Sequence, residues 1–527
     1  MAVTEPAKLE ELLTGVDNSG TPTVILCPAP RAERSFANNV LKLVSGSTLA
    51  QVVTLLTAPF IARLFAPEAF GAAALFAALT GLVSAVVGMR YELSVVLPER
   101  DEEAANTAVL SVCFVVLISS LSGLLIGLFG DRLLAVLRAT ELHGMLWLAP
   151  INIFFGGVYA TLTYWNIRKK RFGIQSVAQL AGSIFFVAAQ IIAGLKGYRS
   201  ASTIIQATVG SAFITIFILG VQAWWDSGKL FLRVRGQGML YALKRYSNFP
   251  KYSTASAMLN NLGWQTPALL LSAFFSTGVV GFYSLGNKLL RLPVSLIGAN
   301  IATVFFQHAS EARRQGSLSE SVEKMFHYLI KLFLFPSLLL TLVGEDVFVV
   351  IFGRTWAEAG VYTQILSIYV LFWFLAVPLG ITLNVLEKQA LELRIISMVL
   401  LARVVALMIG GAIGDARTAL TLFSAAGVVM YGYYCFVVFR NCNIPPARIG
   451  RMLGREFGLF VPAGLILGVF KWLHAAPGII MAVSIIALAL YYVHWIHSDP
   501  IAREAIGQWQ RKLNRRSPGP KGLSSAA

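Results

Sequence analysis

Apolar residues run along the chain in blocks of roughly 20, the length a helix needs to cross a bilayer, and short polar clusters separate the blocks. Fourteen of them predict transmembrane helices. Six lie at 42–64, 70–92, 106–129, 143–165, 174–194 and 202–224, six at 250–275, 278–306, 322–343, 360–385, 391–413 and 416–439, and two at 455–472 and 476–496. No intervening stretch has the roughly 50 residues of an aqueous domain, so function must reside in the helices. The expected class is an all-α integral membrane protein. Its parts are an amino-terminal arm (1–37), a first lobe (38–224), a basic linker (225–249), a second lobe (250–440), a final helix pair (441–498) and a basic tail (499–527).

Four of these helices carry polar residues at helical spacing on one face. Span 1 has Ser47, Gln51 and Thr54; span 2 has Thr80, Ser84 and Tyr91. Span 7 has Ser253, Ser256 and Asn260, with Asn261 and Gln265 beside them, and span 8 has Ser284, Lys288, Arg291 and Ser295. Single polar residues also serve as interhelical glue, worth about 0.6 kcal/mol each; four such faces describe a wet side. Spans 13 and 14 are nearly apolar all round, which suits a lipid-facing place away from a pathway. The wet helices also open two similar stretches. TAPFIARLFAPEAFGAAALF around Pro59 and TPALLLSAFFSTGVVGFYSL around Pro267 each put a proline in a helix, then a turn, then Gly71 or Gly281 at the start of the next span. With six spans per copy both halves enter from one side, giving a parallel repeat with the substrate between the halves.

Composition agrees with lipid as the solvent: 56% of residues are hydrophobic and 13% charged, against about 25% charged in soluble domains. The net charge of +17 does not point to nucleic acid, because the cations are not gathered on one folded face. They cluster between alternate spans, at Arg168–Arg171, at Lys229, Arg233, Arg235, Lys244 and Arg245, and at Arg448, Arg451 and Arg455. Lysine and arginine are retained on the cytoplasmic side, so the pattern predicts an inner-membrane protein with both termini in the cytoplasm. The apolar stretch at Val24–Cys27 is too short for a signal sequence, and the arm is expected to stay uncleaved.

Several signals lead nowhere. Cys27, Cys113, Cys435 and Cys442 have no metal-ligand or disulfide spacing, and His494 and His497 lack ligand partners. Gly281 and Gly286 have the outer spacing of a phosphate loop, but Asn287 precedes Lys288 and the setting is a helix. No catalytic constellation stands out, so we expect no enzyme activity, no metal and no cofactor.

The charges at depth are more informative. Span 8 enters near Gly278, and at 1.5 Å per residue Lys288 lies about 15 Å deep and Arg291 about 20 Å. Each costs about 2.5–3.5 kcal/mol there unless it meets water or a counter-ion. Acids at that depth are nearly absent, which predicts a cationic cavity suited to phosphate, which Arg grips bidentately and Lys as a point charge. Arg403, midway through span 11, fits either the pathway or a structural pair. Arg90 beside Glu92 admits a local pair, snorkelling or function.

The stretch FPKYSTASAMLNNLGWQTPALLLSAFF followed by VGFYSLGNKLLRLPVSLIGANIATVFFQHAS, and earlier SGSTLAQVVTLLTAPFIARLFAPEAFG with MRYELSVVLP, resembles the Wzx-type polysaccharide flippases of the multidrug/oligosaccharidyl-lipid/polysaccharide exporter superfamily. The resemblance implies two six-helix lobes in a V related by pseudo-twofold symmetry, plus two carboxy-terminal helices. Helices 1, 2, 7 and 8 would line a central cationic cavity, and undecaprenyl-pyrophosphate-linked oligosaccharides would be exported from cytoplasm to periplasm. On this basis Lys288, Arg291, Asn260 and Arg90 are expected in the pathway, and the polar faces add Gln51, Asn261, Gln265 and Ser284. Partners would be the lipid-linked substrate and membrane lipids, with a polysaccharide polymerase and chain-length machinery as further candidates. Two rivals are a drug/cation antiporter of the same superfamily, which needs an embedded carboxylate, and a membrane-embedded polymerase or ligase, which needs a large outer loop.

Overall fold

The computed structural model describes residues 14–16, 22–24, 49–294 and 299–499. Apart from the two strands, residues 1–48 lie outside the described residues, as do 295–298 and the tail from 500 onward, and with them Cys27, Ser47 and Ser295. Strands β1 (Thr14–Val16) and β2 (Pro22–Val24) pair antiparallel with Gly15 opposite Thr23. Everything else of length is helix, because in lipid each backbone polar group must find its partner within its own segment.

The first lobe comprises α1 (Leu49–Leu64), α2 (Pro67–Ser84), α3 (Asp101–Val136), α4 (Leu148–Arg168), α5 (Phe172–Leu195) and α6 (Ala201–Leu232). A short helix, Gly236–Arg245, connects it to α7 (Thr254–Phe274), α8 (Thr277–Pro293), α9 (Leu318–Phe352), α10 (Ala357–Val385), α11 (Gln389–Ile413) and α12 (Ala416–Asn441). The last pair is α13 (Pro446–Trp472) and α14 (Pro477–Ser498). Among the described residues ten of these helices are long and apolar enough to span a membrane; α4 and α7 fall short in apolarity, and α1 and α8 adjoin residues outside the described ones.

Local chemistry sets the helix starts. Prolines 67, 446 and 477 sit in the first turns of α2, α13 and α14, where a missing N–H costs nothing. Asp415 caps α12 by accepting from the Thr418 hydroxyl at 2.6 Å and the Thr418 amide at 2.8 Å, and these bonds hold its carboxyl below the usual carboxylate range. One expected span is shorter than predicted. The 70–92 helix stops at Ser84, and the chain turns through Met89 and Arg90, both in left-handed backbone. Beyond that turn the buried Tyr91 stacks on Phe114 at 5.4 Å and donates to the Leu243 carbonyl at 3.1 Å. The 278–306 span is described as helix over Thr277–Pro293 and again from Ala299 to Arg314, and residues 295–298 lie outside the described residues.

The second lobe is built around α10, whose residues Leu366, Val370, Phe374 and Leu379 are wholly buried. The pair α13 and α14 docks on α9, with Phe335 stacked on Tyr491 at 4.3 Å and Tyr491 and Tyr492 donating to the carbonyls of Lys331 and Leu332. Outward faces carry Leu117, Leu121, Leu124 and Leu128 of α3 and Ile485, Ile486 and Leu490 of α14, all exposed, as a lipid-facing surface requires.

The lobes meet along a seam at one end, opposite the basic loops. A Cβ on Gly71 would lie 1.6 Å from the Thr277 carbonyl oxygen, and one on Gly281 would lie 1.9 Å from that of Pro67. The contact is reciprocal at a constant sequence offset, as a twofold axis between Gly71 and Gly281 demands. Around it Trp356 Nε1 donates to Ala62 O at 2.7 Å, Arg63 to Val350 O at 3.0 Å, Arg138 to Phe274 O at 3.0 Å and Thr277 to Glu141 at 3.1 Å. Ser272, buried, donates to Leu137 O.

Candidate functional site

Below the seam a cavity of about 830 Å³ lies between the lobes. Helices α1, α2, α4, α5 and α6 form one side of it and α7 and α8 the other. The helices too polar to qualify as spans, α4 and α7, contribute to its lining, as do α1 and α8. The low apolarity of α4 and α7 is what the cavity needs, since groups turned to water need no partner within the bundle.

Lys288 and Arg291 stand one turn apart on α8 and both line the cavity. Ser276 caps the start of α8 by accepting from the Val279 amide at 3.4 Å. Lys288 is exposed although it stands in the interior: what it is exposed to is the cavity. The Arg291 guanidinium lies over the Trp264 ring at 4.1 Å and 5.8 Å from the Trp373 ring, the two indoles meeting edge to face at 5.1 Å. Among the described residues no aspartate or glutamate lines the cavity and no ion pair to either cation is found.

Gln51 on α1, Gln265 on α7 and Ser284 on α8 line the same space. Gln265 crosses to the first lobe, where its amide would lie 2.8 Å from a Cβ on Gly81, and Ser284 spends its donor on Gly281 O at 3.0 Å. Asn260 is exposed and Asn261 half-buried on α7, and neither lines the cavity. Arg90 stands apart, 3.6 Å from the buried Glu92. Arg403 is buried in the second lobe, with its guanidinium 4.3 Å from the Phe423 ring and 4.9 Å from the Tyr369 ring, away from the cavity lining.

Residues that the sequence did not single out complete the site: Trp264 on α7, Tyr159 on α4, Gln179 and Ser183 on α5, and Ser211 and Thr215 on α6. Two pairs four residues apart, Gln179 with Ser183 and Ser211 with Thr215, are a polar stripe of the kind read from spans 1, 2, 7 and 8. Nothing in Trp264 or Tyr159 alone marks a cavity.

The arrangement offers two unneutralised cations in a water-accessible space between two packed lobes. An anion gains charge-assisted hydrogen bonds there, while a cation meets only repulsion.

Comparison with known proteins gives a consistent picture. Residues 60–361 match the profile of the family described as polysaccharide biosynthesis protein. The succinoglycan biosynthesis transport protein ExoT of Rhizobium meliloti (strain 1021) is 22% identical over 342 residues, which is 61% of this chain and 64% of that protein, so the match spans under two thirds of the relative. Among solved structures, the lipid II flippase MurJ in an inward closed conformation superposes with a TM-score of 0.64 at 12% identity, covering 86% of this chain and 99% of that one. An inward-facing multidrug resistance MATE family transporter of the MOP superfamily gives 0.59 at 13% identity, over 76% and 98%. At these identities the likeness is one of fold.

Proposed function

The chain belongs to the polysaccharide biosynthesis protein family, and from that premise we propose that it carries undecaprenyl-pyrophosphate-linked oligosaccharide repeat units from the cytoplasmic to the periplasmic leaflet. The observation that carries this reading is the pair Lys288 and Arg291, which face a cavity with no acid among the described residues of its lining. A cationic drug would need the opposite charge there, and a coupling carboxylate besides.

In this account the basic loops lie in the cytoplasm and the seam around Gly71 and Gly281 closes the periplasmic end. The cavity takes the pyrophosphate from the inner leaflet while the polyprenyl tail stays in the bilayer. Lys288 supplies a point charge, and Arg291, braced on Trp264, supplies a planar fork of N–H donors. Parting of the seam and closure of the basic end then expose the headgroup to the far side, the alternating access expected of a parallel repeat. An inside-negative potential favours outward movement of each uncompensated negative charge by about 2.3 kcal/mol per 100 mV. The carried product would pass to a polysaccharide polymerase and chain-length machinery, consistent with a bacterial inner-membrane location and cytoplasmic termini.

The test is Lys288→Ala combined with Arg291→Ala in a cell lacking the chromosomal copy. Charge-assisted contacts are worth about 1.5–3 kcal/mol each, so the double variant should lose polysaccharide export while reaching the membrane in normal amount. Full export from that variant would reject the cationic cavity.

A further inference from the structure

The two walls of the cavity differ in chemistry. On α8 the wall presents Lys288 and Arg291; on α4, α5 and α6 it presents hydrogen-bonding side chains without charge. Gln179 Nε2 donates to the Tyr159 hydroxyl at 2.7 Å, which fixes both side chains at the cavity surface, where each is half-buried. Neither is exhausted by the bond. Tyr159 has accepted and keeps its own hydrogen to give; Gln179 keeps its carbonyl oxygen and a second N–H.

The neighbouring hydroxyls are committed differently. Ser211 donates to Gly182 O at 2.9 Å and Thr215 to Ser211 O at 2.9 Å, so they offer lone pairs only. Gly182 makes this wall possible: a Cβ there would lie 2.3 Å from Thr215 Oγ1, so α5 and α6 approach closely enough to place both hydroxyls beside Gln179. Phe155, held against Phe213 at 5.8 Å between ring centres, adds an apolar ring to the same side.

Fixed neutral donors and acceptors next to an aromatic ring suit a ligand with many hydroxyls and no charge. A phosphate gains far more from the opposite wall. We infer that Tyr159 and Gln179 form a subsite for neutral sugar residues of the cargo, across the cavity from the phosphate-binding cations; this rests on the reading of the cavity as a carrier of pyrophosphate-linked glycan. The pair recognises glycan, and α8 recognises the linkage that every such cargo shares.

The experiment measures binding of two lipids, undecaprenyl pyrophosphate and the same lipid bearing a neutral tetrasaccharide of hexoses, to the purified full chain. Tyr159→Phe and Gln179→Ala each remove one or two neutral hydrogen bonds, so affinity for the tetrasaccharide lipid should fall roughly 3- to 10-fold, with affinity for the bare pyrophosphate lipid unchanged. Tyr159→Phe keeps the ring and its packing, and carries the test alone if Gln179→Ala does not fold. Equal loss for both lipids, or no loss for the tetrasaccharide lipid, overturns the subsite. A wild-type chain that binds neither lipid overturns the parent reading and this one with it. A wild-type chain that binds both, with Lys288→Gln weakening both, leaves the parent reading standing whatever the wall variants do.

Discussion

Three deep cations show how surroundings decide the role of a charged side chain in a bilayer. Arg403 lies against Phe423 and Tyr369, and two desolvated cation–π contacts of about 2 kcal/mol each together offset an insertion cost of about 2.5–3.5 kcal/mol. Its presence needs no ligand. Arg291 has Trp264 for the same purpose but also faces the cavity. Among the described residues no ring lies against Lys288, and cavity water or cargo must solvate it. Arg403→Met should therefore lower the thermal midpoint of the detergent-solubilised protein, a loss of about 2 kcal/mol or more, and leave binding of undecaprenyl pyrophosphate intact. Lys288→Met should do the reverse, and a thermal-shift series with parallel binding curves separates the two. The depths of Lys288 and Arg291 could be counted from the sequence; the partners of Arg403 could not, because they come from α10 and α12 and only packing brings them together. The pairing of Tyr159 with Gln179 is hidden for a similar reason: the two stand on different helices and meet only in the folded lobe.

Among the helices, the all-α class and the order of elements follow from the apolar blocks, while ends depend on tertiary partners. The second helix stops at Ser84, and past the turn that follows the Tyr91 ring is held by Phe114 and the Leu243 carbonyl, a long-range arrangement invisible in local hydropathy. Low apolarity proved informative: α7 was legible as a span with a polar face, and that face turns Gln265 to the cavity and leaves Asn260 exposed. Helices α2 and α8 cross backbone to backbone at Gly71 and Gly281, an approach open only to residues without a Cβ. Gly71→Ala should prevent closure of this seam. In a cysteine-free background, a cysteine placed at Ala77, which lines the cavity, should then react several-fold faster with an impermeant thiol reagent added from the seam side, and transport should fall. Unchanged labelling in Gly71→Ala would mean that the seam is not a gate.

The whole molecule is a pair of lobes joined around an axis that passes between Gly71 and Gly281, with a cationic space just beneath the contact. The repeat was legible in the sequence as two similar stretches, and the reciprocal contact of their glycines gives it a physical meaning. What no single chain reveals by pattern is the asymmetry of the cavity: equivalent helices in the two lobes have diverged, so that α8 carries cations where its counterpart α2 contributes only Ala74 and Ala77. That divergence is what a cargo with a charged end and a neutral end requires. The central claim is that the cavity holds a phosphate-bearing lipid through Lys288 and Arg291, and equilibrium binding of undecaprenyl pyrophosphate against undecaprenol to the purified full chain addresses it directly. Two charge-assisted contacts at about 1.5–3 kcal/mol each predict a preference for the pyrophosphate of roughly 10²-fold or more, which Lys288→Gln with Arg291→Gln removes. Equal affinity for the two lipids, or a preference that survives in the double variant, contradicts the account.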